Sequence, residues 1–358
     1  MWNGLKFVEK GDGLFLSPER CEELFKLADK SVFNYPTYDK CGSIKTLSTA
    51  VEEHIEDLLK LPYFNVELIK SKQFKVCLDT INGAGGPAMV KLLTKLGCTI
   101  VGLNLETNGI FAHKPEPIPE HLNELCISVK DNKADIGIAV DPDVDRCVII
   151  DEQGVPLGEE YTLALAVKYF LSKSSTIGTS VCKNLSTTRA IDDICKEFNI
   201  KLIATPVGEI NVAKKMKDIG SMIGGEGNGG VMLTDLHIGR DALVAATFTL
   251  QHLALFNGTI SSLKKTLPQY EIVKLKASIE GINAEEVVKH FKSKWQGKSI
   301  LNEEDGLHIQ TNDWWVHLRK SNTEPIIRVI GEADGGRQKS EEICTQFLNE
   351  ILNFSKKQ

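Results

Sequence analysis

Two apolar runs, Ala134–Val140 and Cys147–Ile150, are separated only by Asp141-Pro142-Asp143-Val144-Asp145-Arg146. Both runs read as buried strands, so the segment between them is a loop with carboxylates at i, i+2 and i+4. In an extended loop alternate side chains point the same way, which predicts that Asp141, Asp143 and Asp145 converge. Three like charges this close repel unless a hard cation sits among them, and Mg²⁺ favours oxygen ligands and phosphate chemistry. Arg146 stands where it can reach a phosphate on the far side of that metal. The same spacing opens a calcium loop, and Glu152 falls at its twelfth position. However, Arg146 holds the sixth position, where that loop needs Gly, and the flanks are strands instead of helices. A solvated acidic turn without a ligand is the other alternative.

Upstream, residues 1–16 read as a hairpin about Gly11-Asp12-Gly13. Ser17-Pro18 then supplies an N-cap and a first-turn proline for a helix to about Asp29. Residues 31–48 are aperiodic, and a helix covers Ala50–Leu61. From Phe74 the pattern alternates between strand and helix. Strand Phe74–Leu78 leads through Asn82-Gly83-Ala84-Gly85-Gly86-Pro87 into a helix ending near Leu96. Cys98–Leu103 is the next strand. Such a turn is either an anion site at a helix N-terminus or tight strand-to-helix packing. After the aspartate loop, a helix is expected over Glu159–Leu171.

A second alternating unit begins near Thr176. It contains the run Gly224-Gly225-Glu226-Gly227-Asn228-Gly229-Gly230, where the backbone can approach a ligand closely. Glu226 and Asn228 are its only functional side chains, an acceptor and a donor suited to sugar hydroxyls; the alternative is a flexible turn. His237 in the following polar cluster has no partner His nearby in sequence and is not expected to bind metal. From Tyr270 the rhythm becomes that of a small α+β domain. Between two of its strands lies Arg319-Lys320-Ser321-Asn322-Thr323-Glu324-Pro325, followed by Arg328. Two guanidiniums, two hydroxyls, an amide and a Lys on one loop make the donor set of a phosphate clamp; a plain charged hairpin is the alternative.

The 358 residues suffice for two to four domains. A net charge of −6 gives no electrostatic footprint for nucleic acid. Nine Cys without a C-x-x-C pair point to a reducing, cytoplasmic setting. No apolar run is long enough to span a membrane.

These loops, in this order, resemble the α-D-phosphohexomutase family, which includes phosphoglucomutase, phosphomannomutase and phosphoglucosamine mutase. Asn82–Gly86 and Thr205–Glu209 look like further family landmarks, and the resemblance covers the whole chain. It implies tandem α/β domains with mixed sheets plus a C-terminal α+β domain, set round a central cleft. The units are expected at 1–68 (an incomplete first domain), 69–173 (metal loop), 174–260 (sugar loop) and 261–358 (phosphate loop). The implied reaction is Mg²⁺-dependent phosphoryl transfer between the 1- and 6-positions of a hexose phosphate. It runs through a hexose 1,6-bisphosphate, which also serves as activator. By position, Asp141, Asp143 and Asp145 match the Mg²⁺ ligands, and Arg146 the arginine beside the phosphoserine. Glu226 matches the glutamate on the sugar hydroxyls, with Asn228 beside it. Arg319, Ser321, Asn322, Thr323 and Arg328 match the clamp on the non-transferred phosphate. Trp2-Asn3-Gly4-Leu5-Lys6 resembles the segment just after the active-site serine loop, which makes Lys6 the lysine near the transferring phosphate.

The sequence also departs from the pattern. The family's phosphate-carrying Ser lies in T/S-A-S-H-N-P, which would end just before Trp2, and no other Ser has that context. The expectation is a truncated member that lacks its nucleophile and is inactive alone, as a monomer or homodimer. The alternative is a non-catalytic or regulatory sugar-phosphate binder. Asn228 and Gly230 fill places where the family often has Ser and His, and Glu209 stands where some members carry His. These changes lean toward phosphoglucosamine or phosphomannose as substrate.

Overall fold

The computed structural model describes residues 5–30, 33–173, 180–279, 283–321 and 325–355. Its helices and strands, in chain order, are α1 (Pro18–Asp29), α2 (Ala50–Lys60), α3 (Val66–Lys72), β1 (Lys75–Asp79), α4 (Gly85–Lys95), β2 (Thr99–Leu103), α5 (Asn123–Asn132), β3 (Ile136–Val140) and β4 (Cys147–Ile150). Then follow α6 (Glu160–Lys173), β5 (Ser180–Asn184), α7 (Ala190–Glu197), β6 (Lys201–Thr205), α8 (Glu209–Ile219), β7 (Ile223–Glu226), β8 (Gly230–Leu233) and β9 (His237–Arg240). The last are α9 (Ala242–Phe256), α10 (Ile260–Lys264), β10 (Val273–Ser278), α11 (Ala284–Trp295), β11 (Ile300–Asn302), β12 (Leu307–Gln310), β13 (Trp314–Lys320), β14 (Ile326–Ala333) and α12 (Gly336–Ser355).

The strands form three sheets, ordered β2-β1-β3-β4, β6-β5-β7-β8-β9 and β10-β14-β13-β12-β11. The first two share one plan. A central strand pairs in parallel with a neighbour on each side, and a hairpin then returns antiparallel. The β3–β4 and β7–β8 turns are therefore equivalent points, each leaving the carboxyl end of a parallel strand, where α/β sheets place their ligands. The third sheet is wholly antiparallel. Its core of Val287, Phe291, Leu307, Val316, Val329 and Phe347 is covered by α11 and α12.

Two helices join the first two units. α9 is apolar on every side, and twelve of its residues from Ala242 to Ala254 are buried. A helix with no polar face must be covered all round. α6 is nearly as buried. The pair pack on each other, on β4 and on β8, and one core runs from Ile55 to Leu267. Phe248 sits at its aromatic centre, 4.9 Å from the Phe64 ring and 5.9 Å from that of Tyr169.

The glycine turn before α4 serves packing. A Cβ on Gly83 would lie 2.7 Å from the Pro142 backbone, and Ala84 N donates to Pro142 O at 2.9 Å. The turn thus braces the aspartate loop. The opening hairpin is held by Glu9 N to Leu14 O and Leu16 N to Phe7 O, and Ser17 caps α1. α1 buries no residue, and Leu5, Phe7 and Phe25 are exposed. Helix α3 and strands β9 and β11 escape the sequence pattern because each is short. Strand β10 begins at Val273, and Tyr270 before it donates through its backbone N to Tyr161 Oη and through its hydroxyl to Asp193 Oδ2. Among the described residues no helix is long and apolar enough to cross a membrane.

Replacing Phe248 by Ala removes a fully buried ring from the shared core and is expected to destabilise it by about 3–5 kcal/mol. The denaturant midpoint of the purified chain measures this. A loss below about 1 kcal/mol would show that α9 does not hold the units together.

Candidate active site

The aspartate loop is a tight turn and not the extended segment that its alternating carboxylates predict. Val144 N donates to Asp141 O at 3.2 Å, and Val144 itself has φ +64°, a left-handed conformation costly for a β-branched residue. Outside groups hold it there. Ala242 N, at the start of α9, donates to Val144 O at 3.0 Å, and Cys147 N donates to Gly229 O at 3.0 Å. Carboxylate oxygens of Asp141, Asp143 and Asp145 all lie within 4.8 Å of one another, with Asp141 and Asp145 buried and Asp143 exposed. The carboxylates converge as the spacing predicted, but the turn brings them together.

Each acid has a distinct environment. Asp141 Oδ1 accepts from the backbone N–H groups of Asp145 and Arg146, both at 3.0 Å. Burial, with Asp145 and Asp143 close by, pushes its pKa up to about 8. Asp145 Oδ2 accepts from Lys6 Nζ at 2.8 Å and Arg240 Nη2 at 2.5 Å. Burial alone would raise the Asp145 carboxyl, yet these two cations hold it below the ordinary carboxylate range. Lys6 also donates to Asp143 Oδ2 at 2.8 Å. Asp145 Oδ1 is buried with no hydrogen-bond partner, and Arg146 Nε, equally unpartnered, lies 3.6 Å from it and from Asp141 Oδ2. An all-oxygen donor set with an orphaned buried carboxylate oxygen fits a hard divalent cation.

Glu226, at the end of β7, is 3% exposed. Its Oε1 accepts from Asn184 Nδ2 at 2.7 Å and Gly208 N at 3.0 Å, and its Oε2 from Arg240 Nη1 at 2.8 Å. The glycine run is no slack loop. β7 and β8 absorb most of it, and the turn packs on the first unit. Gly229 has φ +91°, and a Cβ there would meet Cys147 O at 2.6 Å. Asn228 Oδ1 accepts from Gly230 N at 3.3 Å inside the turn.

On the third sheet, Arg319 of β13 and Arg328 of β14 stand directly opposite each other, and Lys276 of β10 opposes Arg328. Like charges facing across strands repel, so this row favours an anion. Arg319 Nε is 2.8 Å from Asp305 Oδ2, an ion pair without hydrogen-bond alignment. Asp305 Oδ2 also accepts from Val207 N at 2.9 Å, tying the clamp to the second unit. Ser321 is buried, and Asn322 and Thr323 lie outside the described residues. The structure therefore brings Lys6, Asp141, Asp143, Asp145, Arg146 and Glu226 into one network, with Arg319, Ser321 and Arg328 on a neighbouring sheet. Lys6, Asp143, Asp145, Glu209 and Arg240 line a cavity of about 480 Å³.

The residue that joins the network, Arg240, was only one member of a polar cluster in the sequence. Its signal was the short alternation Leu236, Ile238, Arg240 of an unrecognised strand. The same cluster corrects a second point, because the fold supplies His237 with a partner histidine from α2. His54 Nε2 is 2.7 Å and His237 Nε2 3.0 Å from Asp241 Oδ2, with the rings 5.5 Å apart. Gly239 N donates to His237 Nδ1 at 3.0 Å. That bond leaves the proton on Nε2, facing Asp241, and makes the cluster a hydrogen-bonded tie between α2 and α9.

Comparison with known proteins shows the family to which this fold belongs. The family model "Phosphoglucomutase/phosphomannomutase, alpha/beta/alpha domain II" matches residues 52–154, and that of domain III matches residues 158–270. A phosphoglucomutase/phosphomannomutase of Thermococcus kodakarensis is 34% identical over 97% of this chain and 74% of its own length. A phosphoglucosamine/phosphogalactosamine mutase of Sulfurisphaera tokodaii is 30% identical, over 98% of this chain and 76% of its own. The crystal structure of a Burkholderia thailandensis phosphoglucomutase/phosphomannomutase family protein superposes with a TM-score of 0.82 at 23% identity, covering 98% of this chain and 73% of that one. An Aspergillus fumigatus N-acetylphosphoglucosamine mutase, solved in complex with GlcNAc-6P and magnesium, shares the fold at a TM-score of 0.58 and 14% identity, covering 84% of this chain and 64% of that one. The chain belongs to the phosphoglucomutase/phosphomannomutase family, the α-D-phosphohexomutases, a family of isomerase-type phosphotransferase enzymes.

The hydrogen bond to Asp241 raises the His54 pKa above its ordinary value against the opposing effect of burial. Its stabilisation is therefore complete below about pH 6.5 and is lost as pH rises through the raised value. His54→Gln should cost more stability near pH 6 than near pH 9, by denaturant titration at each pH. An equal cost at both would show that the imidazolium–Asp241 pair contributes nothing.

Proposed function

We propose that this chain carries the metal, sugar and phosphate sites of a Mg²⁺-dependent phosphohexomutase. Its substrate is a hexose phosphate, phosphoglucosamine or phosphomannose by the Asn228, Gly230 and Glu209 substitutions. The phosphoryl group moves between the 1- and 6-positions through a hexose 1,6-bisphosphate. The observation that carries this reading is the convergence of Asp141, Asp143 and Asp145 around a buried, unpartnered Asp145 Oδ1. That loop abuts the Glu226 turn through the Cys147–Gly229 bond. Support comes from relatives named as phosphoglucosamine mutases and phosphoglucomutases.

Asp141, Asp143 and Asp145 would hold Mg²⁺, whose charge would neutralise the phosphoryl group in transfer. Lys6 and Arg146 supply further positive charge at that phosphate. Glu226, with Asn228 beside it, accepts hydrogen bonds from sugar hydroxyls. Arg319, Ser321, Asn322, Thr323 and Arg328 clamp the phosphate that stays in place. Positioning and charge neutralisation are what phosphoryl transfer asks of a protein. The four-unit division at 1–68, 69–173, 174–260 and 261–358 belongs to this proposal, as do a cytoplasmic setting and a monomeric or homodimeric state.

The 358 residues contain no Ser in the family's phosphoserine context. The polypeptide by itself is thus proposed to bind without turning over.

The test is calorimetry with Mg²⁺ and glucosamine 6-phosphate or mannose 6-phosphate, beside a mutase assay primed with glucose 1,6-bisphosphate. Binding near the micromolar range is expected, without turnover. Arg319→Ala should weaken binding roughly 30-fold, as truncating a charged hydrogen-bond donor does. Turnover by this polypeptide would overturn the need for the serine. Absence of binding would overturn the function itself.

A further inference from the structure

One guanidinium on β9 serves three carboxylates from three different elements. The Arg240 side chain is only 8% exposed. Its Nη2 lies 2.5 Å from Asp145 Oδ2 in the acidic loop and its Nη1 2.8 Å from Glu226 Oε2 in the glycine turn. Its Nε lies 3.2 Å from Glu209 Oε2 at the start of α8, as an ion-pair contact without hydrogen-bond alignment. The Arg240 backbone N donates to Glu209 Oε1 at 2.9 Å. The neighbouring chain makes room for this. A Cβ on Gly230 would lie 2.2 Å from Arg240 Cδ, so the arginine stem passes over β8 only because residue 230 is glycine.

The charges around Arg240 do not balance. Asp145, Glu226 and Glu209 bring three negative charges against Arg240 and Lys6. Asp145 divides its two oxygens: Oδ2 holds Arg240 and Lys6, and Oδ1 is buried without a hydrogen-bond partner. Glu226 divides its oxygens too, with Oε1 fixed by Asn184 and Gly208 and Oε2 held by Arg240. A cation that drew on Asp145 would weaken that carboxylate's hold on Arg240 and leave the guanidinium to Glu226 and Glu209. In a site of low dielectric that redistribution is felt strongly.

We propose that Arg240 is a positioning residue that couples cation occupancy of the acidic loop to the posture of the Glu226 sugar grip, so that the divalent cation and the phosphosugar bind cooperatively. This rests on the function proposed above. The planar fork matters, since an ammonium is a point charge that cannot hold three carboxylates in fixed directions.

Calorimetry on the full chain tests it. The affinity for glucosamine 6-phosphate is measured with and without Mg²⁺, and that for Mg²⁺ with and without the sugar phosphate. By linkage the two ratios must agree. The native chain is expected to show a ratio of about fivefold or more. Arg240→Lys should reduce it to within about twofold. Gly230→Ala, which displaces the arginine stem without changing charge, should do the same. Because the readout is a ratio, uniform weakening of either site leaves it unmoved. A native ratio near one, or a full ratio in either variant, overturns the proposal. If Arg319→Ala weakens sugar-phosphate binding while Arg240→Lys keeps the ratio, only this inference fails. If the native chain binds no sugar phosphate, the functional reading fails with it.

Discussion

Burial of α6 and α9 between the first two sheets is the constraint on which the rest depends. Neither helix has a polar face broad enough for water, so each must be covered by both units. Covering them fixes how the two sheets meet. It brings the β3–β4 turn of one against the β7–β8 turn of the other through Cys147 N to Gly229 O, and against the start of α9 through Ala242 N to Val144 O. The hydrophobic effect is non-directional, but these backbone hydrogen bonds have direction. Together they convert core burial into a defined register between two loops far apart in the chain.

The site then carries more negative charge than its own cations neutralise. Lys6 and Arg240 both bond to Asp145 Oδ2, leaving Asp141 with its pKa raised and Asp145 Oδ1 without a partner. A buried carboxylate oxygen without a donor costs free energy. Protein interiors keep such a group where something else will satisfy it. The strain at Val144 belongs to the same arrangement. Its left-handed backbone gives the turn that gathers the three aspartates, and contacts from α9 hold it.

The third unit joins through polar groups instead of a shared core. Glu332 accepts from Arg189 N at 2.8 Å and Trp315 Nε1 at 3.1 Å, and Ser186 Oγ meets His317 Nδ1 at 2.9 Å. Burial lowers the pKa of His308 to about 3 and of His317 to about 4, so both are neutral at physiological pH. This interface therefore sets Ser186, Arg189 and Val207 of the second unit against the neutral His317 and the carboxylates of Glu332 and Asp305 in the third. It carries the Arg319–Arg328 row on the same face of the sheet.

The sequence by itself determined which residue types stand at which local spacing. Apolar runs marked most strands, and the spacing of Asp141, Asp143 and Asp145 marked a loop whose carboxylates converge. The glycines round Glu226 marked a loop open to a ligand or a flexible turn, and the Arg319–Arg328 segment marked a concentration of hydrogen-bond donors. All of these are local, because period-two and period-3.6 patterns and short motifs are properties of neighbouring residues. Only the tertiary structure decided which local groups share partners. Helix α3 and strands β9 and β11 are too short to show a period. Arg240 stands ninety-five positions from Asp145 and fourteen from Glu226, and His54 is 187 from Asp241. Nothing in their immediate neighbours announces those bonds. They exist because burying α6 and α9 leaves one arrangement in which the charged ends of β3, β7 and β9 face the same space, and electrostatic pairing acts through that space and not along the chain.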